Sequence, residues 1–61
     1  MQQAWIVFRG IDFHTVAYMD HQGAQVGAAD RAFFPTRQAA VEAARSYGWR
    51  YFELAYENCP A

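Results

Sequence analysis

TRQAAVEAARSYG, residues 36–48, is the stretch of this chain in which all the local signals agree. Thr36 is a good N-cap because its hydroxyl can accept a hydrogen bond from a free N–H of the first helical turn, and Pro35 cannot extend a helix backwards. Gly48 suits the left-handed residue that ends many helices, and the apolar Trp49 follows it as in a Schellman motif. These signals predict a helix over about residues 37–47.

The predicted helix is amphipathic, with about 100° of rotation per residue. Its apolar side carries mostly alanine, together with Val41 and Tyr47, and its polar side carries Gln38, Glu42 and Arg45. A helix of this kind covers one face of a sheet and leaves its polar side in water.

Four other segments have the composition of β-strands, because β-branched and aromatic residues recur in them at strand spacing. They are residues 4–9 (AWIVFR), 13–19 (FHTVAYM), 24–28 (AQVGA) and 49–57 (WRYFELAYE). Short connections at 10–12 and 20–23 predict hairpins. The sequence thus predicts a small α+β domain over 1–57 with element order β-β-β-α-β and one mostly antiparallel four-stranded sheet of order 3-2-1-4. Residues 58–61, which include Pro60, are expected to be a frayed tail.

A strand that follows a helix crossover lies parallel to the strand before the helix, which is strand 3 in this prediction. Because two hairpins make strand 3 parallel to strand 1, strand 4 is predicted to run parallel to strand 1 as well. One of Phe33 and Phe34 is expected to be buried at the end of the core, as in a hydrophobic staple. The side chains predicted to lie beneath the helix are Ile6, Phe8, Phe13, Met19, Phe52 and Leu54.

Length and composition bound the class of protein. The chain has 61 residues, of which 54% are hydrophobic and 18% aromatic, and a domain of this size buries only about 60% of its unfolded surface. Cys59 is the single cysteine, so no intrachain disulfide forms. No apolar run approaches the roughly 20 residues of a membrane span, and no signal peptide is recognisable. We expect a soluble cytoplasmic protein, held together by its core or by a partner.

No arrangement of residues indicates catalysis or a bound ion. Thr36 is explained as a cap, and Ser46 lies on the polar side of the helix without a strained turn around it. The candidate ligands, among them Asp12, His14 and His21, lack the paired spacing of a zinc site. The four glycines are isolated, so no phosphate loop is present. We therefore expect neither enzymatic activity nor a metal or other cofactor.

A surplus of apolar side chains indicates a partner-binding surface. If the helix covers one sheet face, the other keeps an apolar set with arginines at its rim, which is the composition of an interface. The residues predicted to bind a partner there are Trp5, Val7, Val16, Tyr18 and Tyr51, with Arg9 and Arg50 at the rim. The alternative is that the tail and residues 29–35 cover this face.

Two functions are compatible with these features. The first is a non-enzymatic protein-interaction module, either a homodimer or a protein that docks on a larger target, of the kind that small reading frames of bacteria and phages often encode. The second is a nucleic-acid-binding module in which aromatic rings stack on bases and arginines hold the backbone. The net charge of −1 favours the first, because nucleic-acid binders neutralise phosphates with an excess of positive charge.

The phrase FFPTRQAAVEAARSYG after three strands resembles the helix of small sheet-plus-helix modules that include AP2-type DNA-binding domains. The resemblance covers one helix and the turn before it. AP2-type readers need Arg and Trp along the open sheet face, whereas the predicted face combines Trp5 and Arg9 with Glu53. The chain is therefore not assigned to this family.

Overall fold

The computed structural model describes residues 2–59, which form one four-stranded sheet and one helix. The predicted element order β-β-β-α-β is confirmed, with one 3-10 turn added before the helix. The elements are β1 (Gln3–Gly10), β2 (Val16–Met19), β3 (Gln25–Val26), the 3-10 turn (Ala28–Asp30), α1 (Arg37–Ser46) and β4 (Glu53–Asn58).

The predicted sheet order 3-2-1-4 is also confirmed, but the predicted direction of β4 is wrong. All three strand pairs are antiparallel, and β4 pairs with β1 over six residues, with Val7 opposite Leu54. The direction of β4 is reversed because the extended segment directly before the helix is residues 31–34 and not β3.

A short extended segment at residues 31–34 lies between β1 and β2, where these two strands diverge. Phe34 and Trp5 exchange two backbone hydrogen bonds of 2.9 Å in an antiparallel bridge, and the Ala32 N–H donates to the Met19 carbonyl at 2.9 Å. The 3-10 turn therefore reverses the chain once more before the helix. Because residues 31–34 run antiparallel to β1, the crossover rule applied to this segment places β4 antiparallel to β1 as well.

The ends of α1 have the caps that the sequence predicts. Thr36 Oγ1 accepts a hydrogen bond from the Ala39 N–H at 3.0 Å. At the other end the Gly48 N–H donates to the Arg45 carbonyl at 3.1 Å and the Trp49 N–H donates to the Ala44 carbonyl at 2.9 Å, which is the bond pair of a Schellman motif. The helix ends at Ser46, one residue before the predicted end.

Gly48 has a φ of +82°, the left-handed conformation that the motif requires. Gly48→Val is expected to lower the free energy of unfolding by more than about 1 kcal/mol, because a β-branched side chain is strained at this φ even though the space around it is open. Chemical denaturation followed by circular dichroism measures the loss. Gly48→Asn is the matched control and should cost much less, since Asn tolerates this conformation. Equal losses in the two variants would contradict this account of the helix end.

The core lies between α1 and one face of the sheet. Val7, Met19, Phe34 and Trp49 are buried there against Ala40 and Ala44 of the helix, and Phe52 and Leu54 are partly buried beside them. Phe34, rather than Phe33, is thus the buried member of the pair, as expected for one of the two. The predictions for Met19, Phe52 and Leu54 are confirmed.

The predicted faces of β1 are interchanged, however. Val7 lies on the helix side, whereas Ile6 and Phe8 lie on the other face, opposite Ala55 and Glu53 of β4. Phe13 is not in the sheet at all. β1 is apolar on both faces, so its alternation carries no information about which face the helix covers.

Several predicted boundaries also change, and β3 in particular is shortened from 24–28 to Gln25–Val26. β2 begins at Val16 instead of residue 13, and β4 begins at Glu53 instead of residue 49. At the C-terminus, Asn58 pairs with Gln3 and the Cys59 N–H donates to the Gln2 carbonyl at 2.9 Å, so the predicted frayed tail does not begin at residue 58. The rest of that tail, residues 60–61, lies outside the described residues.

Candidate functional site

The seven residues predicted to bind a partner do not share one surface. Val7 is fully buried beneath α1, and Trp5 and Arg9 point to the same side of the sheet. Val16 and Tyr18 belong to the opposite, open face. Arg50 and Tyr51 lie in the connection between α1 and β4 and are exposed. The grouping fails because the β1 faces are interchanged and because residues 49–52 are not part of a strand.

Two side chains of the 31–34 segment, those of Arg31 and Phe33, lie on the open face of the sheet. Phe8 and Tyr18 pack against each other with ring centroids 6.1 Å apart. The Arg31 guanidinium lies 4.9 Å from the ring centroid of Phe33 and 5.8 Å from that of Tyr18, and it forms an ion pair with Glu57 at 3.2 Å. These contacts agree with the part of the alternative that concerns residues 29–35, and the rings of Phe8, Tyr18 and Phe33 are half-buried.

The β1–β2 hairpin loop carries the most exposed large apolar side chain of the described residues, that of Phe13. Phe13 is 100% exposed and Ile11 51%, and Val16 at the start of β2 is 43% exposed. We call Ile11, Phe13 and Val16 the hairpin tip. The prediction that Phe13 lies in the core is wrong, because the loop closes between Ile11 and Thr15 and excludes residue 13 from the strand.

Hydrogen bonds hold the backbone of this loop in place. The Ile11 N–H donates to the Thr15 carbonyl at 3.0 Å, and the His14 N–H donates to Asp12 Oδ1 at 2.9 Å. These bonds to the carboxylate, first that from the His14 N–H and then that from the Thr15 side chain, lower the pKa of Asp12 below its usual value. A depressed pKa means that the turn is stabilised at neutral pH and loses this contribution as the pH falls through the pKa of the folded protein.

A groove that adjoins the β1–β2 hairpin loop at Gly10 brings together residues from three parts of the chain. Arg9 comes from the end of β1, Arg45 from the last turn of α1, and Arg50 and Tyr51 from the connection to β4. We call this the basic groove; its lining residues are Arg9, Gly10, Arg45, Trp49, Arg50, Tyr51, Phe52 and Glu53. The sequence signal for it is the recurrence of arginine and aromatic residues around the helix end, WRYF.

Arg9 is held in the basic groove by two side-chain contacts. Its Nη2 donates to Gln25 Oε1 at 2.6 Å, and its guanidinium stacks 4.2 Å from the ring centroid of Trp49. The Trp49 ring is in turn fixed because its Nε1–H donates to the Gly23 carbonyl at 3.0 Å. Tyr51, by contrast, has a ring that is 82% exposed.

The hydroxyls of Ser46 and Thr36, which could act as nucleophiles, form hydrogen bonds with backbone groups of α1. Ser46 Oγ donates to the Ala43 carbonyl at 2.9 Å, and Thr36 Oγ1 caps the helix. His21 packs its ring edge against Phe34, with centroids 5.4 Å apart. Within residues 2–59 no three His, Cys, Asp or Glu side chains are grouped as a metal ion requires. In the same part of the chain, α1 is too short and too polar to cross a bilayer.

Comparisons with known proteins add no information on the site. No protein-family model, curated protein or solved structure matches this chain.

Proposed function

We propose that this chain is a non-enzymatic protein-interaction module that associates with a second copy of itself through the hairpin tip. The observation that supports the proposal is the full exposure of Phe13 on a loop whose backbone is held by hydrogen bonds. A large ring on a backbone that is already ordered can bury its surface in a partner without the cost of ordering the loop, and such rings dominate the energetics of many interfaces.

The choice of a second copy follows from the composition of the tip and from the size of the chain. Ile11, Phe13 and Val16 are apolar, and the neighbouring charged side chain is Asp12, so two tips can pack apolar side against apolar side with the carboxylates at the rim. A twofold contact uses the same patch on both copies and needs no further complementary surface. Association also adds buried area to a domain whose own core is small.

Phe13→Ser tests this proposal directly. Because the Phe13 ring makes no buried contact, the substitution should leave the circular dichroism and the melting temperature nearly unchanged, as surface substitutions do within about 0.5 kcal/mol. Light scattering at high micromolar concentration should show a dimer for the wild type and a monomer for the variant. Tyr51→Ser is the matched control, since it removes another highly exposed ring, that of the basic groove, and should leave the dimer intact.

Two results would contradict the proposal. A monomeric wild type at these concentrations excludes the second copy as partner, and a Phe13→Ser variant that remains dimeric excludes the hairpin tip. If the wild type is monomeric but captures a protein from its host in a manner that depends on Phe13, the interaction function stands with a different partner.

A further inference from the structure

Most of the positive charge of this protein lies on one side of it. A second groove adjoins the basic groove, shares Arg45, Phe52 and Glu53 with it, and adds Arg37. Four of the five arginines and one of the six carboxylates, that of Glu53, line the two grooves. The fifth arginine, Arg31, forms an ion pair with Glu57 instead.

This asymmetry changes what the net charge implies. A net charge of −1 argues against a polyanion ligand only if the charges are evenly distributed. Anions respond to the local potential, which is raised where cations share one groove. The side of the protein that bears the basic groove therefore attracts anions, although the chain as a whole is slightly acidic.

The cations of the groove are available to a ligand. Arg45 and Arg50 are exposed and form no salt bridge within residues 2–59. Arg9 is held in place by Gln25 and Trp49, and its interactions there neutralise none of its charge. Guanidinium groups bind phosphate oxygens in a bidentate manner, so three of them along one groove fit a ligand with several phosphates.

An aromatic ring completes the chemistry of the groove. Tyr51 is 82% exposed, and its ring lies among the arginines rather than against the core. Exposed rings of this kind stack on unpaired bases, whereas the bases of a duplex already stack on one another. An acidic peptide would satisfy the guanidinium groups and leave the ring unused. The set of residues thus favours a ligand that has both phosphates and free bases.

We propose that the basic groove binds single-stranded nucleic acid, with phosphates at Arg9, Arg45 and Arg50 and one base stacked on Tyr51. Glu53 opposes an anion where the two grooves meet, which limits the site to a few nucleotides. The proposal is independent of self-association, because the hairpin tip and the basic groove use different side chains.

The test is a titration of a fluorescein-labelled oligodeoxythymidylate, about ten nucleotides long, followed by fluorescence anisotropy. If three phosphates are neutralised, raising the salt tenfold from about 20 mM should weaken binding by about 100-fold. Tyr51→Ala should weaken binding by roughly 5- to 150-fold through lost stacking, and Tyr51→Phe should retain it. Arg50→Ser should weaken binding and reduce its salt dependence.

The controls separate stacking from charge alone. Phe13→Ser should bind the oligonucleotide as the wild type does. A duplex of the same length should bind more weakly than the single strand, and a polyglutamate peptide at equal charge should not displace it. The proposal is overturned if the wild type does not bind at low salt, if Tyr51→Ala binds as tightly as wild type, or if the duplex or the peptide binds equally well.

Discussion

Trp49→Ala is expected to remove a large part of the protein's stability, and it has the largest effect that we expect of a single substitution in the core. Replacing a buried tryptophan with alanine costs about 3–5 kcal/mol, and a chain of this length has a total stability of about 3–9 kcal/mol. The loss is therefore a large fraction of the free energy of unfolding. Trp49 is buried although it directly follows the glycine that ends the helix.

The large effect follows from three contacts that Trp49 makes at once. Its ring packs in the main core cluster, its Nε1–H donates to the Gly23 carbonyl, and its face stacks with Arg9. Removing the ring leaves a cavity and an unsatisfied, partly buried carbonyl. It also disconnects the helix end from the turn between β2 and β3.

Urea denaturation followed by far-ultraviolet circular dichroism measures this loss without depending on tryptophan fluorescence. Trp5→Ala is the matched control, because Trp5 is half-buried and packs on Tyr56 at a centroid distance of 5.1 Å. Trp49→Phe keeps an aromatic ring and should lose about 1–3 kcal/mol through the unpaired carbonyl. If Trp49→Ala costs no more than Trp5→Ala, Trp49 does not join the helix end to the sheet.

The helix could be predicted from the sequence because its signals are local. Thr36 and Gly48 each act within one turn of their own position, and the apolar stripe repeats often enough to define a face. The strand order could be predicted as well, since short connections leave few ways of arranging three antiparallel strands. These features do not depend on distant contacts.

The direction of β4 and the faces of β1 could not be predicted in this way. Residues 31–34 form only one bridge to β1, and four residues before a proline have no recognisable strand pattern. The face of β1 is ambiguous because Ile6 and Val7, adjacent in sequence, are both buried, one on each side of the sheet. An alternating pattern needs one polar face to be informative.

The two candidate surfaces depend on these same tertiary features. Phe13 was expected beneath the helix because its spacing from Met19 fits a strand, and only the closure of the loop at Thr15 shows that it is exposed. The basic groove assembles Arg9 with Arg45 and Arg50, which are distant in sequence. Net charge, a property of the whole chain, conceals such a local arrangement.

Gly23→Ala is the second substitution for which we expect a large effect, with a loss of about 2–5 kcal/mol. Gly23 has a φ of +81°, where an alanine is strained by about 1–2 kcal/mol. A Cβ at this position would also overlap the Cβ and ring of Tyr47, which is in contact with the turn. Forcing extra atoms into a close contact costs about 1–3 kcal/mol.

Gly48→Ala separates the cost of backbone strain from the cost of the overlap with Tyr47. Gly48 has nearly the same φ, +82°, but no atom lies within 4 Å of the position of its Cβ, so its replacement introduces strain without overlap. Denaturation midpoints of the two variants should therefore differ by the cost of the clash with Tyr47. The Tyr47→Ala substitution should recover that difference in the Gly23→Ala background and leave the strain, giving a coupling free energy that is absent between Tyr47→Ala and Gly48→Ala.

Equal losses for Gly23→Ala and Gly48→Ala, without coupling to Tyr47, would show that the β2–β3 turn moves freely away from the helix end. The Trp49 hydrogen bond to the Gly23 carbonyl argues against such freedom, because it ties the same turn to the same helix end.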